Sequence, residues 1–300
     1  MKKILVLTDF SKCADNALSF AVQIARLMPA GIVLAHTVES DTGMYMDYMG
    51  VQKEQEEEML HEAAKKLNMT REAIRESEGV TVETQLYTGY VKENILAAVE
   101  NTKADIVVMG TMGATGRISE KVWGTRTASV TGRSAVPVIA VPYSYNRIMP
   151  GEILFATNRF EKDPGLLTSL FEIARLFKSR IHIVVFTDED SATGADFVDH
   201  SRELESYEYF LGQKFPGQQI ITAHLSGRRF EETLQDYIDK NNINMVAMIS
   251  LQRGFLSRVI HPSVTRSMAY HTTIPLLVIP DKARTSESTG AESSLPGQKK

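Results

Sequence analysis

The sequence predicts two successive α/β domains, and three observations lead to this prediction. Short runs of Val, Ile and Leu alternate with longer amphipathic stretches along most of the chain. These apolar runs are continuous, which is typical of strands that are buried on both faces of a parallel sheet. The landmarks of the first half also recur in the same order in the second half. Because strands and helices alternate, each half is predicted to form a doubly wound, Rossmann-like α/β fold.

Five strands and four helices are predicted in the first half. The strands lie near Lys3–Leu7, Gly31–His36, Thr81–Tyr87, Asp105–Met109 and Pro137–Val141. The helices that separate them lie near Ala14–Leu27, Gln52–Glu76, Val91–Thr102 and Thr125–Gly132. We expect each half of the chain to form a five-stranded parallel sheet with the strand order 3-2-1-4-5. In such sheets the ligand binds beyond the carboxyl ends of the strands, where the winding direction reverses. This order therefore places the crevice between the first and fourth strands.

The second half is a divergent copy of the first. The segments "KKILVLTDFS" and "GEILFATNRFE" open the two halves, and "SAVPVIAVP" and "TTIPLLVIP" close them. A period near half the chain indicates a duplicated domain rather than a solenoid, whose repeats have about 20 to 50 residues. Pro150-Gly151 breaks regular structure between the copies. We expect one domain at residues 1–145, a second at 150–281 and a disordered tail at 282–300, which has no apolar period.

Composition limits the classes of function. The chain of 300 residues has a formal net charge of −4, which gives no electrostatic reason to bind nucleic acid or an anionic membrane. No apolar run approaches the roughly 18 to 20 residues that span a bilayer. The single cysteine, Cys13, excludes an internal disulfide and a cysteine-based metal cluster, as in proteins of a reducing compartment. We therefore expect a cytoplasmic protein without a nucleic-acid or membrane partner.

A glycine-rich stretch follows the fourth predicted strand. It begins at Met109 and reads "MGTMGATGRISEKVWGTRT", with the hydroxyls of Thr125 and Thr127 directly behind Gly124. Glycines let backbone N–H groups approach phosphate oxygens, and a following helix start adds unpaired donors. Asp9, at the first crossover, can accept hydrogen bonds from a ribose. The stretch lacks the Gly-Lys-Ser/Thr ending of a P-loop, so its spacing alone favours a connecting loop with a helix cap.

The combination of motifs changes that balance. "LTDFS" follows the first strand, "AHTVE" ends the second, "ADIVVMGTMGATG" spans the fourth, and "GT" precedes the helix that leads to "VPVIAVP". Together these motifs resemble the universal stress protein family from Met1 to about Pro142, and the tandem organisation is similar to that of two-domain members. Members with the loop Gly-x2-Gly-x9-Gly-Ser/Thr bind adenine nucleotides. The resemblance therefore implies ATP, ADP or AMP as ligand, with or without Mg²⁺.

The resemblance also implies which residues hold the nucleotide. Gly110 and Gly113 match the first two glycines of the family's loop, and Gly124-Thr125 matches its final pair. Asp9 matches the acid near the nucleoside, and Thr37 lies where a backbone group meets the adenine. The implied cofactor-binding set is Asp9, Thr37, Met109, Gly110, Gly113, Gly124, Thr125, Arg126 and Thr127. No catalytic residue and no metal ligand is assigned.

The loop departs from the family's pattern by one residue. Ten residues, Ala114 to Trp123, separate Gly113 from Gly124, where the pattern has nine. An extra loop residue costs little stability, but it can displace Gly124 from the phosphates because functional geometry tolerates only about half an ångström. Arg117 and Arg126 could each neutralise phosphate, although a solvated surface position is favoured for both.

The second half departs much further from the motif. Asn158 stands in place of the acid, and Pro262, which has no backbone N–H, stands in place of Gly124. We expect this half to keep the fold without binding nucleotide. By resemblance to tandem members, the final strands Pro137–Val141 and Pro275–Ile279 should pair and form an internal pseudo-dimer, as exposed sheet edges also favour.

Two classes of function remain open. The first is a stress-response protein that binds ATP or another adenine nucleotide in its first domain, with slow ATP hydrolysis at most and the second domain as a structural or regulatory partner. The second is a nucleotide-independent interaction or scaffold module with an unknown protein partner. The glycine loop favours the first class and the ten-residue spacing the second. An efficient enzyme ranks below both, since no nucleophile–base pair or metal-ligand cluster emerges. Assembly into a homo-oligomer is compatible with either class.

Overall fold

The computed structural model describes residues 1–39, 51–111, 125–157, 160–190, 192–250 and 273–281. In the first half the elements are β1 (Lys3–Leu7), α1 (Lys12–Leu27), β2 (Gly31–Val38), α2 (Val51–Glu78), β3 (Val82–Thr88), α3 (Val91–Thr102), β4 (Ile106–Gly110), α4 (Thr125–Arg133) and β5 (Val138–Val141). In the second half they are β6 (Glu152–Ala156), α5 (Pro164–Phe177), β7 (Arg180–Asp188), α6 (Gly194–Lys214), β8 (Ile220–Gly227), α7 (Phe230–Lys240), β9 (Met245–Ser250) and β10 (Leu276–Pro280). The nine elements predicted for the first half are confirmed, and their ends differ from the prediction by at most two residues.

The ten strands form one sheet with the order β3-β2-β1-β4-β5-β10-β9-β6-β7-β8. Within each half the paired strands are parallel. When the strands are numbered along the chain within each half, both halves have the expected order 3-2-1-4-5. The winding direction therefore reverses between β1 and β4, and again between β6 and β9.

The two halves join through β5 and β10, which run antiparallel. Ile139 lies opposite Leu277, and Val138 lies opposite Val278. The side chains of both strands are buried. The prediction that the last strands of the two halves meet is confirmed. This pairing covers the backbone N–H and C=O groups that either strand would otherwise present at a sheet edge.

A hydrophobic core crosses the junction between the halves. It contains Phe20 of α1, Tyr145 of the connecting segment and Phe155 of β6. The ring of Phe20 contacts both Tyr145, at a centroid distance of 5.6 Å, and Phe177 of α5, at 6.0 Å. Aromatic pairs of this kind add about 0.5 to 1.5 kcal/mol beyond the burial of their area. The halves therefore share apolar packing as well as a strand pairing.

Side chains at several helix starts satisfy backbone N–H groups that the helix leaves unpaired. Ser11 caps α1 by accepting from Ala14 N, at 3.2 Å. Thr193 and Asp196 form a reciprocal capping box at α6.

In the part of the chain that the structure describes, no helix is long and apolar enough to cross a membrane.

The β5–β10 pairing predicts the behaviour of the first half on its own. Val138–Val141 are at most 1% exposed in the whole chain. In a fragment of residues 1–145 this strand would become an open apolar edge, so the fragment should self-associate. Analytical ultracentrifugation of this fragment should find a dimer or larger species. A folded, monomeric wild-type fragment at high concentration would contradict this expectation.

Candidate functional site

The carboxyl ends of β1, β2 and β4 meet at one edge of the sheet. Leu7 of β1 pairs with Ala35 of β2 and with Met109 of β4. Asp9 and Thr37 each follow this row by two residues along their chains. Thr37 is half-buried, and so is Asp9. The strand register therefore brings the predicted nucleoside-binding residues to the same edge, at the point where the winding direction reverses.

A tight turn after β1 fixes the position of Asp9. Its Oδ1 accepts a hydrogen bond from Ser11 N, at 3.0 Å, and Thr8 Oγ1 accepts one from Phe10 N, at 3.0 Å. The carbonyl oxygen of Thr8 accepts a hydrogen bond from Nδ1 of His36 on β2, at 2.7 Å. These bonds join the turn to the start of α1 and to the neighbouring strand. The Asp9 carboxylate is therefore oriented by a hydrogen bond within the protein.

Phe10 is a residue that the sequence analysis did not assign to the site. Its φ of 61° is in the left-handed region, which non-glycine residues seldom adopt. The ring contacts His36 at a centroid distance of 4.5 Å, and Nζ of Lys66 on α2 lies 5.6 Å from the centroid of Phe10. The side chain therefore connects the turn after β1 to both β2 and α2. No periodicity in the sequence indicates this conformation, although the residue directly follows Asp9.

The carboxylates of Asp9 and Asp15 lie close enough at the start of α1 for their charges to interact. Burial and the charge of Asp9 raise the pKa of the Asp15 carboxyl, which lies in the first turn of α1. A second carboxylate beside Asp9 disfavours a phosphate at this position, because like charges repel. Neutral hydroxyl groups, by contrast, can donate hydrogen bonds to a carboxylate. The surface next to the Asp9 carboxylate therefore suits a sugar better than a phosphate.

Gly110, at the end of β4, lies directly against the start of α1. A Cβ atom at this position would lie 2.9 Å from Cys13 Sγ and 3.0 Å from the Cys13 carbonyl carbon and oxygen. Real Cβ atoms essentially never approach other atoms so closely. Cys13 cannot move away easily, because it is buried and its Sγ lies 3.4 Å from the carbonyl oxygen of Val141. Glycine at position 110 is therefore required by packing, independently of any ligand.

Thr127 holds the first turn of α4 against the same edge. Its side chain is buried, and its hydroxyl donates to the Gly110 carbonyl oxygen at 3.1 Å, with the Thr111 carbonyl oxygen at 3.3 Å. The hydroxyl proton is thus used within the protein. The amino-terminal end of α4, which carries the positive end of the helix dipole, therefore lies beside the end of β4.

The structure places five of the nine predicted residues at this edge: Asp9, Thr37, Met109, Gly110 and Thr127. The Met109 side chain packs in the core, and its backbone lies in the sheet between β1 and β5, so packing and strand pairing account for its position. Thr125 and Arg126 belong to the first turn of α4. Gly113 and Gly124 lie outside the described residues, as do the ten residues between them and the replacements Asn158 and Pro262. The assignment of these residues to a nucleotide site stays a prediction.

The corresponding edge of the second half has other chemistry. At the end of β7, Thr187 Oγ1 lies 2.8 Å from Nδ1 of His200 and 2.7 Å from Nε2 of His224. Ser201 Oγ lies 2.8 Å from the other ring nitrogen of His224, Nδ1. Burial and the nearby charge of His200 lower the pKa of His224. These polar groups bond mainly to one another, whereas the first half has a carboxylate and a glycine at its edge.

Comparison with known proteins identifies the family. The family model described as "Universal stress protein family" matches residues 1–142 and 149–280. Universal stress protein MJ0577 of Methanocaldococcus jannaschii is 27% identical over 154 residues, which cover 47% of this chain and 94% of that protein. Among solved structures, a universal stress protein from Archaeoglobus fulgidus aligns with a TM-score of 0.71 and 18% identity, over 93% of this chain and 98% of that chain. A universal stress protein solved in complex with cAMP is 23% identical, over 47% of this chain and 96% of that chain, with a TM-score of 0.33.

The contact between Gly110 and Cys13 predicts an unequal response to two glycine substitutions. Gly110→Ala should lower the free energy of unfolding by about 1 to 3 kcal/mol, because the new Cβ overlaps the start of α1. Gly132→Ala is the matched control, since nothing lies within 4 Å of a Cβ built there and the residue is helical. It should leave stability unchanged or raise it slightly. Urea denaturation measures both, and equal effects of the two substitutions would contradict the packing role of Gly110.

Proposed function

Because the chain belongs to the universal stress protein family, we propose that its first half binds one adenine nucleotide as part of a stress response. The nucleotide lies across the carboxyl ends of β1, β2 and β4. The second half is its nucleotide-free structural or regulatory partner. One observation carries this proposal: the register of β1, β2 and β4 brings Asp9 and Thr37 to the edge where α4 begins.

The nucleoside occupies the end of the crevice nearer to β2. The Asp9 carboxylate accepts hydrogen bonds from ribose hydroxyls, and the backbone of Thr37 meets the edge of the adenine. The neighbouring carboxylates of Asp9 and Asp15 support this orientation, because their negative charge favours the neutral sugar over the phosphates. The turn that contains Phe10 fixes Asp9 before the ligand arrives, which reduces the ordering that binding requires.

The phosphates extend toward the start of α4. The first turn of this helix carries unpaired backbone N–H groups, and its dipole favours an anion. Thr127 anchors that turn to Gly110 through its hydroxyl, so its backbone is the part that can face phosphate. Gly113, Gly124, Thr125 and Arg126 complete the proposed cradle. Mg²⁺, where present, arrives with the phosphates, which commonly supply its ligands in nucleotide sites.

A nucleotide-independent interaction module is the second candidate function. It is favoured by the ten residues between Gly113 and Gly124, where the family's nucleotide-binding loop has nine. The two candidates differ in one measurable property, since the interaction module binds no nucleotide in either half.

Isothermal titration calorimetry should find one ATP bound per chain. Asp9→Ala should weaken adenosine and ATP alike, by about tenfold or more, since it removes a charged hydrogen-bond acceptor. Gly124→Pro removes a backbone N–H and should weaken ATP far more than adenosine. Asp236→Ala, at an exposed position on α7, is the control and should change neither affinity.

The same titration separates the alternatives. Two equivalent sites would show that the second half also binds, against the proposed asymmetry. Absence of binding in the folded wild-type chain would favour the interaction module. Unchanged ATP affinity in folded Gly124→Pro would mean that the glycine stretch is a connecting loop with a helix cap.

A further inference from the structure

A pocket of about 330 Å³ lies where the two halves of the chain meet. Three segments line it: the connection after β5, the end of α7 with the start of β9, and the residues just before β10. Because β5 and β10 run antiparallel, the carboxyl edge of the first half and the amino edge of the second lie on the same side of the sheet. The pocket is within the size range of small-molecule sites. None of the residues proposed to hold the nucleotide lines it.

Two asparagine amides on the pocket wall have a defined orientation. Asn244 Oδ1 accepts hydrogen bonds from Gly151 N and Glu152 N, both at 3.2 Å. Asn146 Oδ1 accepts one from Ile148 N, at 3.4 Å. Because these carbonyl oxygens accept from backbone donors, the NH₂ group is the part of each amide that can donate to a ligand. The exposed side chain of Asn242 adds a third amide.

The same wall carries acceptors and an apolar surface. Among the described lining residues, Asp239 alone has a charged side chain, and its Oδ1 accepts from Gln235 Nε2 at 2.9 Å. Ser144 and Thr273 contribute hydroxyls to the lining, and the Ser144 hydroxyl donates to the Thr273 carbonyl oxygen, at 3.4 Å. The apolar part of the lining consists of Ile148, Ile238, Ile243, Ile274 and Pro275. The described lining residues thus include one carboxylate and no cation, while the charge of the neighbouring Arg147 acts on the Tyr145 hydroxyl in the same wall.

We propose that this pocket binds a neutral polyhydroxyl molecule of about the size of a monosaccharide. Each hydroxyl of such a molecule can accept from an amide NH₂ group and donate to a carboxylate, which are the groups that the wall provides. The C–H face of a sugar ring packs on the isoleucine side chains. The inference does not depend on the proposed nucleotide site.

Binding here stabilises the junction between the halves. The ligand contacts the connecting segment through Asn146 and the second half through Asp239 and Asn244. A molecule that binds the folded chain but not the unfolded chain raises the stability of the folded chain by mass action. The pocket thus gives the tandem arrangement a site that a separate single domain of this fold would lack.

Saturation-transfer NMR on the full chain tests the inference with four probes at millimolar concentration: D-glucose, D-galactose, D-ribose and myo-inositol. At least one probe should receive saturation from the protein. Asp239→Ala should weaken its binding about tenfold, because a charged acceptor is lost. Asn242→Gly should also weaken it, and this substitution suits the backbone, since Asn242 has a φ of 52°.

Asp236→Ala is the matched control, an exposed aspartate on the same helix that does not line the pocket. It should leave probe binding unchanged, and circular dichroism should show all variants folded. The proposal is overturned if no probe binds the wild-type chain, or if binding is the same in Asp239→Ala as in Asp236→Ala. Tighter binding of glucose 6-phosphate than of glucose would also overturn it, since the proposed ligand is neutral.

Discussion

The antiparallel pairing of β5 with β10 determines how the two halves of the chain are arranged. It turns two five-stranded sheets into one sheet of ten strands and buries a strand edge from each half. It also makes the strands of the two halves run in opposite directions, so that their carboxyl ends lie at opposite ends of the sheet. The candidate polyol pocket follows from that geometry, because the carboxyl edge of the first half and the amino edge of the second are brought to the same side of the molecule.

The two halves keep the same architecture while their strand edges differ. In the first half, Gly110 permits α1 to pack on β4, and Thr127 anchors α4 beside it. In the second, Thr187 and its histidine neighbours form a network of their own. Core packing tolerates substitution as long as volume and pattern are kept, whereas a site requires particular groups at particular places. This difference explains how duplication can preserve a fold and yet change the chemistry of one copy.

Much of the fold could be predicted from the sequence, because buried parallel strands leave continuous apolar runs and amphipathic helices leave periodic apolar positions. The nine elements of the first half are examples. Other features depend on contacts between distant residues and leave no local pattern. The left-handed Phe10 and the approach of Cys13 to Gly110 are of this kind. Thr127 was predicted as a site residue from its position after Gly124, but its bond to the Gly110 carbonyl became visible only in the folded chain.

Hydrogen–deuterium exchange of the full chain, with and without saturating ATP, tests the central claim of an asymmetric tandem protein most directly. We expect ATP to slow amide exchange at the ends of β1 and β4 and in the first turn of α4. We expect no change at the ends of β6 and β9, which occupy the same places in the second half. Equal protection of both halves, or protection of the second half alone, would contradict it.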